Sequence, residues 1–462
     1  MGVSSNMLKQ NKLWDNEGTS CQQNNTIEVE LDPELDKIYH HIERTCRITE
    51  YSKLVSYTTP VNFVESLNTP RHRWYPYKEG FSPTFVRGFY NRYCSNIRPI
   101  VLDPFSGVGT SVLESGLNGG GGLGLDTNEL ATFIATTKST NLEPSLIDDF
   151  NKAINIFTFA PLSNRGSFPL SNTVLSYFEP EYLDALVRVK GFLEYEMQPK
   201  LRNLFKLAFL SIIEPFSTHR KAGNGLKRKT RLLYKEHPGT PMEQVRRAVI
   251  DQLRIYINDL TNTQVSDNIS FVSASSLEVD KFLPHESYDC VLTSPPYANC
   301  FDYSKIYMCE LWFGDFFTGK EDQRKFRNLS MRSHVHARWL DRYEEYGSPT
   351  VNNIIAPLLL TKELWSQQIP EMLQGYFKDL GRLLVSLSSM VKKDAPIGLV
   401  VGNSVYAGIP VATDLLLAEL GGLHGLTLDG IEIFRHIVPS SQQFMKVSDK
   451  RLFRESMVVF RK

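Results

Sequence analysis

The segment 99–126 constrains the fold of this chain more than any other part of the sequence. It reads as a strand (PIVLD), a turn with two glycines (PFSGVGTS), a helix (VLESGLN) and a second strand (GGLGLD). A strand, a helix and a strand in this order form a βαβ unit, which joins two parallel strands of one sheet. The sequence therefore predicts an α/β fold built on a mostly parallel, twisted sheet.

Strand patterns return in two later parts of this chain of 462 residues. They occur at ISFVSA (269–274), at YDCVLTS (288–294) and in the tail, which alternates helix and strand. The stretches between them are mostly helical in pattern. We predict one α/β domain interrupted by two helical inserts, at 141–265 and 315–375. The other predicted parts are 1–58, a polar N-terminal segment and helix, then 59–140, 266–314 and 376–462.

The composition excludes several classes of protein. Lysine and arginine number 51, as do aspartate and glutamate, so the net charge is zero and nucleic-acid binding would need a local basic patch. The six cysteines include no Cys-x-x-Cys pair, which predicts no metal site and fits a reducing cytosol. The sequence contains no apolar run of about 18 residues, so no membrane span is predicted, and it shows no signal-peptide pattern. We expect a cytoplasmic protein without membrane contacts.

The glycine turn indicates a ligand site at the end of the first strand. Asp103 ends that strand, and Gly107 and Gly109 let the backbone take positive φ angles and approach a ligand closely. No lysine follows the last glycine, as a phosphate-binding loop requires, and the third glycine of a dinucleotide site is absent. Asp126 ends the next strand, where a carboxylate can accept hydrogen bonds from a ribose. These features predict a nucleoside cofactor without a pyrophosphate; a plain glycine turn is the alternative.

The segment VLTSPPYANCF (291–301) is the second informative stretch. An apolar run ends at Thr293 and Ser294 and is followed by two prolines and a tyrosine. Adjacent prolines fix two φ angles and remove two N–H donors, which makes a rigid loop with outward-facing carbonyls. A proline-rich surface turn is the alternative interpretation, and the position directly after an apolar strand disfavours it.

Together, DPFSGVGT (103–110) and TSPPY (293–297) resemble the paired signature of DNA amino-methyltransferases. These enzymes transfer a methyl group from S-adenosylmethionine (AdoMet) to the N4 amine of cytosine or the N6 amine of adenine. WYPYKEGFSP (74–83) is similar to the family segment that covers the methionine end of the cofactor, and GLVVGNSVYAG (398–408) resembles a late strand. The resemblance implies a Rossmann-like class I AdoMet methyltransferase fold in a bacterial or archaeal cytoplasm.

The resemblance also implies which residues hold the cofactor. Ala274 and Ser275 stand where the family often has Gly-Asp, whose aspartate holds the adenine amine, and Ser275 could accept that hydrogen bond. In the same terms, 59–140 is the cofactor-binding half, 266–314 holds the catalytic strand and loop, and 376–462 completes the domain. The implied cofactor residues are Phe81, Ser82, Asp103, Phe105, Ser106, Gly107, Gly109, Thr110, Asp126, Thr127 and Ser275.

The implied catalytic residues are Ser294, Pro295, Pro296 and Tyr297. An exocyclic amine is a poor nucleophile because its lone pair is delocalised into the ring. Hydrogen-bond acceptors beside its N–H groups, here the Ser294 hydroxyl and the Pro295 carbonyl, stabilise the charge that develops on the nitrogen. Tyr297 offers a face on which a flipped base can stack. Serine before the prolines, rather than aspartate or asparagine, favours cytosine N4 over adenine N6.

Two basic stretches are the candidates for contacts with the expected partner, double-stranded DNA. HRKAGNGLKRKTR (219–231) resembles a mobile basic loop, and RKFRNLSMRSHVHARW (324–339) is similarly basic. A solvated helical face is the alternative for either stretch. A cognate restriction endonuclease or another defence-system protein is a further expected partner. The candidate DNA-binding residues are Arg220, Lys221, Lys227, Arg228, Lys229, Arg231, Arg332 and Arg338.

Two other functions are consistent with parts of the pattern. Some RNA amino-methyltransferases share a similar glycine turn and a Pro-Pro loop, but they usually carry an RNA-binding module before the catalytic domain. The first 60 residues are too short for such a module. A binding protein that keeps this fold without catalysis is disfavoured by the intact SPPY and GVGT motifs.

Overall fold

A computed structural model describes residues 31–51, 61–169, 171–223, 225–281, 285–335, 344–437 and 450–462. Of the predicted N-terminal part, 1–58, the described residues comprise a helix, Pro33–Thr45, and a short strand, Ile48–Glu50. The rest of that prediction lies outside the described residues.

Twelve strands occur among the described residues. They are β1 Ile48–Glu50, β2 Ile100–Asp103, β3 Gly121–Asp126, β4 His219–Ala222, β5 Gly225–Arg228, β6 Ile269–Ser273, β7 Cys290–Thr293, β8 Pro396–Gly402, β9 Ser404–Tyr406, β10 Ile409–Val411, β11 Thr427–His436 and β12 Arg454–Arg461. Eight form one sheet in the order β1-β11-β12-β8-β7-β2-β3-β6. Neighbours run parallel, except that β12 is antiparallel to both β8 and β11. The predicted α/β fold, Rossmann-like with a mostly parallel sheet, is confirmed.

The central strands β2, β7 and β8 are buried along nearly their whole length, as expected of strands covered on both faces of a sheet. All seven residues of β8, PIGLVVG, are buried. The α-helices among the described residues are Pro33–Thr45, Pro83–Tyr93, Thr110–Leu117, Glu129–Ser139, Pro144–Phe159, Asn172–Leu175, Pro180–Tyr195, Pro199–Ser211, Ile213–Phe216, Pro241–Asn262, Tyr303–Ile306, Met308–Phe313, Lys320–Leu329, Ala356–Leu360, Ile369–Met390 and Thr413–Leu423.

Local sequence explains where one of the two longest of these helices begins. Pro241 occupies its first turn, where the missing N–H costs nothing. Thr240 caps the helix by accepting a hydrogen bond from the Glu243 N–H, and the Glu243 carboxylate accepts one from the Thr240 N–H in return. This helix then packs against the other helices between β3 and β6.

One hydrophobic core links those helices to the residues that border the glycine turn. It contains Tyr77 and Val108, which border the glycine turn, together with Leu253 and Tyr256 of the helix Pro241–Asn262. The helices between β3 and β6 therefore share their core with the segment 59–140, the predicted cofactor-binding half.

The structure differs from the sequence-based prediction at 219–231. This stretch, predicted as a mobile loop, contains the antiparallel hairpin of β4 and β5, in which Arg220 lies opposite Lys227. Among the described residues, no helix has the length and apolar character needed to cross a membrane. The same residues contain no group of three His, Cys, Asp or Glu side chains that could hold a metal ion.

Candidate active site

The carboxyl ends of β2, β3 and β7 meet at one edge of the sheet because these strands are parallel neighbours. Leu102 of β2 pairs with Leu123 of β3 on one side and with Val291 of β7 on the other. Ligands of open α/β sheets bind at this edge. The register therefore brings the segments that follow these three strands to a single place.

A cavity opens at this edge. Its walls come from the stretch before the helix Pro83–Tyr93, from the turns after β2, β3, β6 and β7, and from 326–334. The described residues that line it are Tyr77, Glu79, Pro104, Phe105, Gly107, Asp126, Thr127, Asn128, Ser276, Ser294, Pro296, Phe301, Asp302, Tyr303, Phe326, Ser330, Met331, Ser333 and His334. Residues predicted for cofactor binding and for catalysis thus line one cavity.

Asp103 joins the elements at this edge without lining the cavity. Its buried carboxylate accepts a hydrogen bond from the Thr293 hydroxyl, 190 positions away at the end of β7, at 2.7 Å. It also accepts hydrogen bonds from Ser111 in the next helix and from the Phe105 N–H. Burial raises the pKa of Asp103 to about 6, while these hydrogen bonds act in the opposite direction. Asp103 fixes the frame on which the glycine turn is built.

The glycines of the turn take conformations and positions that exclude a side chain. Gly107 and Gly109 have φ angles of +50° and +82°. A Cβ at Gly109 would lie 2.6 Å from the ring of Phe271, and one at Gly107 would lie 3.2 Å from the ring of Tyr77. The backbone of Gly107 itself faces the cavity. The turn therefore packs against neighbouring aromatic rings, and its backbone at Gly107 is accessible to a ligand in the cavity.

Asp126 is the carboxylate that lines the cavity at the end of β3. One of its oxygens accepts a hydrogen bond from the Gly107 N–H at 2.9 Å, and the other accepts one from the Asn128 N–H at 2.8 Å. Burial raises the pKa of Asp126 to about 6, and the two backbone donors lower it in part. Each carboxylate oxygen keeps a lone pair for a further donor, such as a ribose hydroxyl.

The SPPY loop contributes Ser294 and Pro296 to the cavity wall. The Ser294 hydroxyl donates to the Val400 carbonyl of β8 at 3.2 Å, which directs its lone pairs away from that strand. Pro295 of the loop is itself buried. The loop is thus held against β8 with its proline ring and its hydroxyl oxygen on the cavity side.

Tyr297 is more constrained than its sequence position predicts. Its hydroxyl donates to Glu455 of β12 at 2.6 Å, and Glu455 is in turn paired with Arg435 of β11 at 2.5 Å. A Cβ at Gly402 would lie 2.8 Å from the Tyr297 ring, so the ring rests against the end of β8. Burial, together with the neighbouring Glu455 carboxylate, raises the pKa of Tyr297, which therefore stays a hydrogen-bond donor.

Another part of the cavity wall is built by residues of the segment 326–334. Asp302, directly after the SPPY loop region, accepts hydrogen bonds from Ser304 and from Arg327, the latter at 2.7 Å. Burial raises the pKa of Asp302, but these donors outweigh it and lower the pKa below its usual value. The Cys300 N–H donates to the Ser333 carbonyl at 3.0 Å. The second basic stretch therefore reaches the cavity as a wall.

The remaining residues predicted for the cofactor lie around the cavity. Phe105 and Thr127 line it with Gly107 and Asp126, and Ser276 lines it in place of the predicted Ser275. The Ser275 hydroxyl instead donates to the Leu329 carbonyl at 3.1 Å. Five predicted residues are not among the described lining residues. Phe81 packs on Phe85, and Ser82 caps the helix Pro83–Tyr93. Ser106, Gly109 and Thr110 lie within or next to the glycine turn.

The basic candidates divide into exposed and interior residues. Lys221 and Arg332 are buried in ion pairs with Glu310 and Asp379, at 2.5 and 2.9 Å, so their charges do not reach the surface where DNA would lie. Lys229 donates to three backbone carbonyls, and burial lowers its pKa to about 8. The prediction for Arg338 lies outside the described residues. The exposed candidates are Arg220, Lys227, Arg228 and Arg231.

Comparison with known proteins identifies several similar methyltransferases. The chain is similar over most of its length to Type II methyltransferases. It is 24% identical to Type II methyltransferase M.AvaI of Anabaena variabilis over 87% of this chain and 88% of that one. It is 24% identical to M.BsoBI of Geobacillus stearothermophilus over 93% and 91%, and 24% identical to M.MvaI of Kocuria varians over 76% and 80%. No protein-family model matches the sequence.

Several lining residues carry no signal that sequence reasoning could use. Tyr77 and Glu79 lie within the quoted segment 74–83, but nothing in the pattern distinguishes them from their neighbours. Asp302 and His334 reach the cavity only because 326–334 folds across the SPPY loop. Such tertiary contacts between distant segments are not encoded in local spacing.

Proposed function

We propose that the protein is a site-specific DNA methyltransferase that methylates the exocyclic amine of a flipped base, with cytosine N4 as the first assignment and adenine N6 as the second. The observation that carries this proposal is the single cavity in which Gly107 and Asp126 lie beside Ser294 and Pro296. The names of the similar proteins, all Type II methyltransferases, support it.

AdoMet fits the charges of the cavity as the methyl donor. Among the described lining residues are three carboxylates, Glu79, Asp126 and Asp302, and neither lysine nor arginine. A cofactor with phosphates would lack cationic partners there, whereas AdoMet carries a sulfonium and an ammonium group. Asp126 would accept hydrogen bonds from the ribose, and the glycine turn would lie against the rest of the molecule. When bound, AdoMet supplies a methyl group activated by the sulfonium.

The SPPY loop supplies the acceptors that the target amine needs. The Ser294 hydroxyl gives its hydrogen to the Val400 carbonyl at 3.2 Å, so its lone pairs are available to an N–H of the base. The Pro295 carbonyl is held by two fixed φ angles and needs no reorganisation during the reaction. Both groups stabilise the positive charge that develops on the nitrogen of the amine.

The exposed cations of the β4–β5 hairpin and its flank are the proposed DNA contacts. Lys227 and Arg228 lie on β5, Arg220 lies opposite Lys227, and Arg231 follows. Phosphate contacts by such residues provide affinity without reading sequence. In this assignment the enzyme modifies DNA in the cytoplasm, as the partner of a restriction endonuclease or another defence protein.

The test is to identify the methylated nucleoside. Purified protein, labelled AdoMet and either mixed-sequence duplex DNA or bulk tRNA are incubated, and the digested nucleosides are separated by mass spectrometry. We expect N4-methylcytosine in DNA and a rate lowered about 10²–10³-fold by Ser294→Ala, as for other single groups that stabilise developing charge. N6-methyladenine would change the base and keep the class. Finding 5-methylcytosine, or methyl groups only in RNA, would overturn the proposal.

A further inference from the structure

The cavity wall next to the glycine turn carries a carboxylate that no ion pair neutralises. Glu79 lines the cavity, and no lysine, arginine or histidine among the described residues lies within 4.0 Å of its oxygens. Its hydrogen-bond donor is the hydroxyl of Tyr307. Burial disfavours the charged form of Glu79 and raises its pKa, although the Tyr307 hydroxyl, Lys221 and Lys78 act in the opposite direction, so the ionised carboxylate keeps a net cost. A cationic ligand group at this position would remove that cost.

We propose that Glu79 receives the α-ammonium group of the methyl donor, an inference that rests on the proposed function. Its position relative to Asp126 supports this role. Gly107 lies between Asp126 and Tyr77. Its N–H donates to Asp126 at 2.9 Å, and a Cβ added at Gly107 would lie 3.2 Å from the Tyr77 ring. Tyr77 stacks on Tyr307 with ring centroids 5.0 Å apart, and Tyr307 holds Glu79. The two carboxylates thus flank one glycine turn.

The other carboxylates and cations nearby are already engaged. Asp302 has both oxygens occupied, one by Ser304 and the other by Arg327 at 2.7 Å. Of the two lysines whose charges act on Glu79, Lys78 donates to the Lys221 carbonyl at 2.8 Å, and Lys221 has its ammonium 4.5 Å from the Tyr307 ring. The Lys221 ammonium is paired with Glu310 at 2.5 Å and lies 3.4 Å from a Glu214 oxygen. Glu79 is therefore the carboxylate left for the ammonium of an adenosyl amino acid.

A comparison of two ligands with two proteins isolates this contact. The ligands are S-adenosylhomocysteine and its analogue in which a hydroxyl replaces the α-amine; the proteins are the full chain and its Glu79→Gln variant. Calorimetry should give about tenfold weaker binding of the analogue to the unaltered protein, the scale of a charge-assisted hydrogen bond. Glu79→Gln should weaken binding of S-adenosylhomocysteine to a similar degree and should remove the difference between the ligands.

A third ligand, 5′-methylthioadenosine, is the matched control because it keeps the adenosine and lacks the amino acid. Its affinity should stay within about twofold in Glu79→Gln, a change well below one charge-assisted bond. An equal loss for all three ligands would make Glu79 structural and overturn the inference. Should the variant not fold, equal binding of the amine and hydroxyl ligands to the unaltered protein would overturn it as well. If that protein binds no adenosyl ligand at all, the proposed function itself fails.

Discussion

Asp103 and Asp126 end neighbouring parallel strands, yet their side chains have different environments. Asp103 is buried and bonded to Thr293 and Ser111, whereas Asp126 faces the cavity. The sequence predicts both for the cofactor site because each follows an apolar strand. Only the packed structure distinguishes the carboxylate that holds the frame from the one that can bind a ligand.

We expect Asp126 to make nucleoside binding dependent on pH. Its pKa is raised to about 6, and the ionised form is the better acceptor for ribose hydroxyls. Affinity should therefore fall as the pH decreases through this value, by about tenfold between about pH 7 and about pH 5. Calorimetry with 5′-methylthioadenosine measures this without involving Glu79.

The control for this titration is Asp126→Asn, whose amide does not titrate. It should bind more weakly at neutral pH by about 1–3 kcal/mol, the scale for a hydrogen bond to a charged acceptor. It should also give a flat profile. A variant that keeps the full pH dependence would assign the titration to another group.

Glu455 is a positioning residue for the SPPY loop. It is buried, accepts the Tyr297 hydroxyl hydrogen at 2.6 Å and is paired with Arg435. Glu455→Gln keeps the shape and weakens both contacts, so the loop should be held less firmly. We expect kcat to fall about tenfold or more while affinity for S-adenosylhomocysteine stays unchanged, because misplaced groups act on the reacting geometry.

A double-variant cycle separates this role from general destabilisation. If Glu455 acts through Tyr297, then Tyr297→Phe should lower kcat similarly, and the two changes together should cost little more than either alone. Fully additive losses in kcat would show that Glu455 acts elsewhere.

At the scale of elements, the β4–β5 hairpin separates interior from surface charge. Lys221 points into the protein towards Glu310, while Lys227 and Arg228 are exposed. Replacing Lys227 and Arg228 by glutamine should weaken DNA binding and reduce the salt slope by about 0.9 for each phosphate that is no longer neutralised. The control is a double variant in which Lys152 and Arg254 are replaced by glutamine. Both side chains lie on helices, and their exposed fractions are 72% and 71%. Equal slopes for the two double variants would exclude the hairpin as the site that binds phosphates.

The elements that the sequence predicts correctly are those with strong local patterns. The βαβ unit, β6, β7, β8 and β12 are marked by apolar runs, and the structure contains each of them. The strands β1, β9 and β10 have three residues each, too few for a pattern. The β4–β5 hairpin was predicted as a loop because its basic residues lie around two glycines; the burial of Lys221 depends on Glu310, 89 positions later, which local sequence does not show.

The residues of the candidate site divide in the same way, into those marked by local motifs and those placed by contacts between distant segments. Gly107, Asp126 and Ser294 belong to motifs in which spacing along the chain defines the chemistry, and all three line the cavity. The wall formed by 326–334 depends on contacts such as Arg327 with Asp302. Complementary side chains far apart in sequence have many alternative partners, so the sequence alone does not select this pair.

At the scale of the whole molecule, a buried aspartate connects the helices between β3 and β6 to the cavity wall. Asp259 of the helix Pro241–Asn262 accepts hydrogen bonds from the Arg71 N–H at 2.9 Å, from Arg73 at 3.1 Å and from the Trp74 indole at 3.0 Å. Trp74 begins the stretch that carries Tyr77. The helix Pro241–Asn262 and the stretch that leads to Tyr77 are therefore joined through one buried carboxylate.

This arrangement predicts a large, shared loss of stability in Asp259→Ala. The substitution leaves the buried Trp74 N–H and the Arg71 N–H without an acceptor and breaks the ion pair with Arg73, so the free energy of unfolding should fall by about 3–5 kcal/mol. The control is Asp251→Ala on the same helix, whose pair with Arg254 spans 3.7 Å and lies at the surface; it should change stability by less than about 0.5 kcal/mol. Urea unfolding followed by tryptophan fluorescence and by far-ultraviolet circular dichroism should give coincident transitions that shift together in Asp259→Ala. Two separate transitions, with only one of them shifted, would instead mean that the helices between β3 and β6 fold as an independent domain.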